Sequence, residues 1–219
     1  MFVQLSHIIE EGIPSYRGIA YIKIKPINQI KKGDSSNSYE VTFYNHIGTH
    51  VDCQRHFIEE GKEISQYEIN DFIFERIALI IIKKEKGELF KPMDFYVYEN
   101  EIRQSDFLLI KTGFQKYRKM NKDVYQFEGP GFSRESASYI ASFKNLKGIG
   151  FDFASLSSPL HREEGREAHR ILLKNEKFII VEDMNLEILG NDVKIKRLFV
   201  IPIFIKGIDS STVTVFAEI

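Results

Sequence analysis

Residues 46 to 56 read His-Ile-Gly-Thr-His-Val-Asp-Cys-Gln-Arg-His and place three of the chain's six histidines, with an aspartate, in eleven positions. His46, His50, Asp52 and His56 all fall on even positions, so an extended backbone, whose side chains alternate between faces, points the four one way. A helix separates them: at about 100° per residue His46 and His50 are neighbours, while Asp52 and His56 turn away by roughly 160–200°. The window is therefore expected to be a strand. The flanking stretches 41–44 and 47–51 are rich in the β-branched and aromatic residues that suit one, and Gly48 leaves room for close approach of backbone or ligand.

The remainder of the chain reads as α/β. Strands are expected at 2–9, 22–27, 107–111, 149–153, 178–181 leading into Glu182, 198–205 and 212–217. A further strand at 77–82 is almost wholly apolar and is expected to be buried on both faces. One helix should follow Ser133, a capping residue, with Glu135 in its first turn and Ala137, Ile140 and Ala141 at helical spacing. A second is expected at 163–174 and carries His169. The 219 residues, 43% of them hydrophobic, suit a single domain spanning 1–219. Thirty basic against 31 acidic residues leave a net charge of −1, which lacks the electrostatic footprint of a nucleic-acid binder and favours a small, nearly neutral substrate. No apolar run approaches the roughly 20 residues that span a bilayer, so no membrane partner is expected. A single cysteine and the lack of a basic-then-apolar leader point to the cytoplasm.

Imidazole and carboxylate clustered at this density point to a divalent metal, because zinc, manganese and iron all accept those donors. Outside the window, His169 lies on a helix that feeds a strand ending in Glu182, and a βα arrangement brings both toward one strand-end cleft. His161, in the preceding loop, competes with it, whereas His7 reads as structural. The set His46, His50, Asp52, His56, His169 and Glu182 exceeds the protein ligands of an ordinary catalytic zinc site. Either two metals share carboxylates or one histidine is kept for proton transfer, and both readings imply hydrolysis by metal-activated water. His56 is the candidate proton carrier. Cys53, at an odd position, is expected to pack. Asp152 and Ser155 divide evenly between groups that orient a metal-binding side chain and ordinary turn residues.

From His46 to Phe57 the chain resembles the metal-dependent cyclase family, which includes bacterial kynurenine formamidase and isatin hydrolase. Seven of the eight specified positions of H-x-G-T-H-x-D-x-P-x-H-F match. Similar stretches are Leu5-Ser-His7, Gly12-Ile-Pro14, Tyr16-Arg-Gly18, Leu109-Ile-Lys-Thr-Gly-Phe114, Glu167-Ala-His169 and Phe178-Ile-Ile-Val-Glu182. The resemblance implies that His46, His50 and Asp52 bind one metal, that Asp52, His169 and Glu182 serve a second, that His56 is the acid/base and that Tyr16 lines the substrate pocket. It also implies a swivelling β/β/α domain with mixed sheets around a barrel-like core, assembled as dimers or larger oligomers such as tetramers. Three departures stand out. Gln54 replaces the motif's proline and removes a fixed φ from the turn that aims His56. Ser157 replaces a second aspartate. The interval from His169 to Glu182 is about one residue longer than in relatives. With no tryptophan in the chain, Tyr16 or phenylalanines must supply stacking surface.

The leading expectation is a metal-dependent, arylformamidase-like amidohydrolase. It would take a small amide, either an aryl formamide such as N-formylkynurenine, which belongs to tryptophan catabolism, or a cyclic amide. Zn2+ is the first choice and Mn2+ the second, with one or two ions per chain. Two rival readings remain: a non-haem Fe(II) oxygenase using His50, Asp52 and His169 as a facial triad, and a metal-binding protein without catalysis.

Overall fold

One mixed sheet of nine strands organises the computed structural model, which describes residues 1–190 and 193–219. Strands Ile77–Ile81, Phe107–Lys111, Gly148–Phe151 and Ile179–Glu182 run parallel, as befits apolar segments joined through helices. His50–Asp52 then enters antiparallel, between Ile179–Glu182 and Ser210–Glu218. Ser210–Glu218 also pairs with Phe2–Gln4 and with Arg197–Pro202, and the latter takes Ile73–Phe74. The two ends of this order, Ile73–Phe74 and Ile77–Ile81, are separated in the chain only by Glu75 and Arg76. Three Cα steps of about 3.8 Å span at most about 11 Å, so the sheet curls until its edges nearly meet. The result is the expected α/β fold, with mixed strands around a barrel-like core.

Two apolar layers follow from the strand period of two. Val51, Phe107, Leu109, Val181, Val200 and Val215 fill the barrel. Leu108, Ile110, Ile149, Phe151 and Ile180 face the other way, against Ala137 and Ile140 of helix Arg134–Ala141 and Ala168 and Leu172 of helix Arg162–Leu173. Truncating any of the large ones to alanine costs about 2–5 kcal/mol. Because Val51 points inward, His50 and Asp52 point out toward the helix layer. In register, Glu182 stands opposite His50 on one side, and Ser210 opposite Asp52 on the other. Both helices show the anticipated ends. The Ser133 hydroxyl accepts from the Ser136 N–H, and Glu163 and Glu164 open the second helix, where the macrodipole favours acids.

Several expectations are corrected. The histidine window is not one strand: Ser38–Phe43 and His50–Asp52 are separate, divided by bends at 45–49 where Gly48 adopts φ +63°, a conformation only glycine takes without strain. Strand 77–82 is a sheet edge, with Ile77, Leu79 and Ile81 half-buried, so its apolar run reflects an edge under partial cover. The strand expected over 2–9 stops at Gln4, and that over 198–205 stops at Pro202. Helices Glu99–Gln104, Lys116–Met120 and Lys122–Phe127 are too short to announce themselves by periodicity. Strands Ile22–Asn28 and Ser38–Phe43 form a separate two-stranded sheet. Among the described residues no helix is long and apolar enough to cross a membrane.

Candidate metal centre

Strand alternation delivers only His50 and Asp52; His46 arrives from the bends before them and His56 from the single-turn helix Gln54–His56. All four nonetheless converge. Asp52 Oδ1 lies 3.0 Å from His46 Nδ1 and 3.6 Å from His50 Nε2, and Oδ2 lies 3.8 Å from His56 Nε2. Helix Arg162–Leu173 brings His169 Nε2 to 3.8 Å from Asp52 Oδ2 and 3.4 Å from Glu182 Oε1, while Glu182 Oε2 is 3.3 Å from His50 Nε2.

Three overlapping sets place their ligand atoms within 4.8 Å of one another: His46 with His50 and Asp52, Asp52 with His56 and His169, and His46 with His56 and Asp209. Asp52 belongs to the first two. Glu182 touches His50 and His169 but completes none of these sets.

Asp209 is the member that sequence reasoning missed. Its Oδ2 sits 2.6 Å from His56 Nδ1 and 3.0 Å from His46 Nε2. It lies in a Gly-Ile-Asp-Ser-Ser turn with no histidine nearby, and only the pairing of Ser210 with Asp52 carries it into the cluster. A signal existed in the juxtaposition of strand 212–217 with the window, which is a long-range pairing.

Asp52 is fully buried, and neither of its oxygens, nor His50 Nε2, has a hydrogen-bond partner among the described residues. A buried ion left that way costs several kcal/mol, so the donor set and its orphaned atoms fit a divalent cation. The electrostatics agree. Burial opposes charge on His46, yet Asp52 and Asp209 raise its pKa to about 11. Burial likewise works against His50, and Glu182 and Asp52 overcome it and push its pKa up. Although burial pushes Asp52 upward, His56 and His46 hold it far below the usual carboxylate range. Burial and Asp52 both push Glu182 up, but the close imidazoles of His169 and His50 bring it to about 2. Without metal, the carboxylates keep protons on His46 and His50; a divalent cation supplies the same charge and releases those protons.

Backbone carbonyls aim the imidazoles. His50 Nδ1 lies 2.9 Å from the Gly48 carbonyl and His169 Nδ1 lies 2.7 Å from that of Gly165, which leaves Nε2 of each for the cluster. At Gly165 a Cβ would fall 2.2 Å from Ser157 Oγ, so only glycine lets the helix approach the 155–157 loop closely enough to present His169. Ser155 donates its hydroxyl to Glu182 Oε1 at 3.1 Å, and the Leu156 N–H donates to the same oxygen at 2.7 Å. Asp152, in contrast, orients no ligand-type side chain. Its two oxygens accept from Thr112 and Gly113 at the end of the neighbouring parallel strand, so it pins that turn. Gln54 replaces the missing proline's constraint with hydrogen bonds: its N–H donates to Tyr67 Oη at 3.2 Å and its Oε1 accepts from the Lys62 N–H at 3.0 Å. Cys53 packs inside the barrel, and burial pushes its thiol up to about 12.

A cavity of about 200 Å³ opens over the cluster, with His46, His50, His56, His169 and Glu182 among its lining. Tyr16, Tyr44 and Phe57 supply aromatic surface, Phe57 stacking on His169 at 4.5 Å, and Arg162 and Arg166 are also among the lining residues. His161 is exposed and stands outside this lining. His7 lies elsewhere, with Nε2 3.8 Å from Asp183 Oδ1.

Comparison with known proteins agrees with this architecture. The family model described as putative cyclase matches residues 3–158. An uncharacterized protein of Haemophilus influenzae is 36% identical over 110 residues, which cover 50% of this chain and 78% of that one. Cyclase-like protein 1 of Arabidopsis thaliana is 24% identical over 215 residues, covering 94% and 80%. Among solved structures, isatin hydrolase A from Labrenzia aggregata superposes with a TM-score of 0.83 at 19% identity, covering 99% of this chain and 93% of that one. A potential metal-dependent hydrolase with cyclase activity gives 0.73 at 24% identity, covering 99% and 96%. At these identities the solved structures establish a shared fold.

Proposed function

The chain belongs to the putative cyclase family, and from that premise we propose that it is a metal-dependent hydrolase of a small amide. The observation that carries this reading is Asp52, a buried carboxylate without a hydrogen-bonding partner, shared by two ligand sets beneath an aromatic cavity. His46, His50 and Asp52 would hold one divalent ion. Asp52 and His169, with Glu182 or His56, would hold a second. Zn2+ suits these donors first and Mn2+ next, at one or two ions per chain. Such an ion supplies Lewis acidity, lowering the pKa of water from about 15.7 toward about 7 and polarising a carbonyl.

The chain's own residues do the rest. Asp209 holds His56 Nδ1, which leaves Nε2 facing Asp52 to accept a proton from water and return it to the departing amine. The Asp209 carboxylate stabilises the imidazolium formed in between. Ser155 and Leu156 fix Glu182, and Tyr16 and Phe57 offer stacking surface to an aryl group. An aryl formamide such as N-formylkynurenine fits this arrangement, and the shared fold with proteins named isatin hydrolase supports a cyclic amide as the other substrate type. A homo-oligomer is supported by the two-stranded sheet, where Ile24, Ile27, Tyr39 and Val41 are exposed.

The test combines elemental analysis, after purification without chelator, with anaerobic assays on N-formylkynurenine, isatin and formanilide. At least one ion per chain and oxygen-independent hydrolysis are expected. A metal content well below one, or turnover that requires oxygen and ferrous iron, contradicts the reading.

A further inference from the structure

The chain has ten arginines, and eight of them lie within salt-bridge distance of a carboxylate. Among the described residues the exceptions are Arg17 and Arg162. These two are not scattered. Arg162 is the exposed first residue of helix Arg162–Leu173 and lines the cavity over the metal cluster; Arg17 directly follows Tyr16, which lines the same cavity. Burial pushes the Tyr16 phenol up, and the charges of Arg162 and then Arg17 pull it back, so both positive charges are felt at that hydroxyl. Arg17 also holds φ +53°, a left-handed conformation that a long side chain adopts at a cost and that tends to persist where function requires it. Arg166, one turn along the helix from Arg162, is paired with Glu163 and so is already neutralised.

The cavity therefore has two unlike ends. Its buried floor carries Glu182, with Asp52 beneath, and its exposed wall carries an arginine that no carboxylate of the described protein answers. Guanidinium is a planar fork of donors, weakly hydrated and matched to a carboxylate. Aromatic rings at Tyr16, Tyr44 and Phe57 lie among the same lining residues.

We infer that the substrate is an aromatic amide bearing a carboxylate, with Arg162, assisted by the charge of Arg17, taking that carboxylate while the amide lies on the metal-ligand floor. This inference rests on the hydrolase reading and narrows it: N-formylkynurenine, which carries a carboxylate, fits, and isatin and unsubstituted formanilide do not supply what Arg162 binds.

The test compares the 3- and 4-formamidobenzoates with their neutral carboxamide counterparts in the metal-loaded enzyme. The better carboxylate is expected to show a kcat/KM about tenfold or more above its carboxamide, carried by KM, as a charge-assisted bond would give. In Arg162→Gln that ratio falls to near one, Arg162→Lys recovers part of it, and Arg17→Gln lowers it by a smaller factor. An unchanged ratio in Arg162→Gln, or no preference in the native protein, overturns the inference while leaving hydrolysis standing. Direct binding of 4-methylbenzoate and 4-methylbenzamide to metal-loaded and metal-free protein separates the two claims. If no amide turns over but 4-methylbenzoate binds in an Arg162-dependent way, the hydrolase reading fails and the anion site stands. Benzoate binding that ignores Arg162→Gln, or no benzoate binding at all, overturns the anion site.

Discussion

Asp52 and Asp183 are both buried aspartates, 0% and 3% exposed, and they differ in what answers their charge. Asp183 is enclosed by the protein itself. Arg118 donates to both its oxygens at 3.0–3.2 Å, Tyr125 donates its hydroxyl, and the Asp183 carbonyl accepts from Thr49 Oγ1, which ties the histidine window to the end of the Glu182 strand. Asp52 has only imidazoles around it and no hydrogen bond to either oxygen. One carboxylate braces the frame and the other carries no hydrogen bond, although Asp183 follows directly on Glu182, which faces Asp52's cluster. A carboxylate that an arginine and a tyrosine of the fold satisfy is structural; one surrounded by imidazoles, with no hydrogen bond to either oxygen, is the one we propose a metal ion answers.

The comparison breaks most visibly at Asp52. Asp52→Asn should abolish metal binding and lower turnover by more than the roughly 10²–10⁴-fold expected from losing the His56 proton carrier alone. Metal-free, this variant should lose stability in denaturant unfolding at neutral pH, because the carboxylate that His56 and His46 hold below its usual range is gone and His46 keeps one acidic partner fewer. Asp183→Asn should differ in its metal binding. It leaves Arg118 buried beside a neutral partner, so denaturant unfolding should show a loss of about 3–5 kcal/mol with or without metal, while the folded variant still takes up the ion.

Acid sharpens the contrast further. His46 must lose its proton to ligate, and its metal-free pKa of about 11 means that protons compete with metal at every lower pH. Metal affinity measured by competition with a chromogenic chelator should therefore fall about tenfold per pH unit for each proton displaced. Because that pKa is raised on folding, its contribution to metal-free stability is present below the ordinary histidine range and is lost as pH rises toward 11. The smallest effect is expected at Ser155, where Ser155→Ala removes one hydrogen bond to Glu182 and should cost roughly 10–100-fold in metal affinity or activity.

Much of this was legible in the chain because the signals were local. The apolar runs at Phe107–Lys111 and Ile179–Glu182 and the Ser133 cap announce their elements directly. Six ligand-type residues identify themselves by chemical type, and helix Arg162–Leu173 delivers His169 to Glu182 as the βα pattern implies. What stayed hidden depends on distant pairing. Asp209 joins His46 and His56 only because Ser210–Glu218 lies beside His50–Asp52, and no local pattern encodes that neighbour. The even spacing of the window gave the right convergence for an incomplete reason: the turn at Gly48 and the helix at Gln54–His56, more than a continuous pleat, aim His46 and His56. Asp152 and Asp52 look alike in sequence, and only the N–H groups of Thr112 and Gly113 reveal that the first is already satisfied.

Thermal unfolding with and without added zinc, on the native protein, Asp52→Asn and Asp183→Asn in parallel, tests the central claim most directly. An ion at about a thousand times its dissociation constant stabilises by about 4 kcal/mol. The native protein should show that upward shift in Tm, Asp183→Asn should show it from a lowered baseline, and Asp52→Asn should show none. A zinc-dependent shift that survives in Asp52→Asn, or its absence from the native protein, would contradict the assignment of Asp52 as the carboxylate that the metal answers.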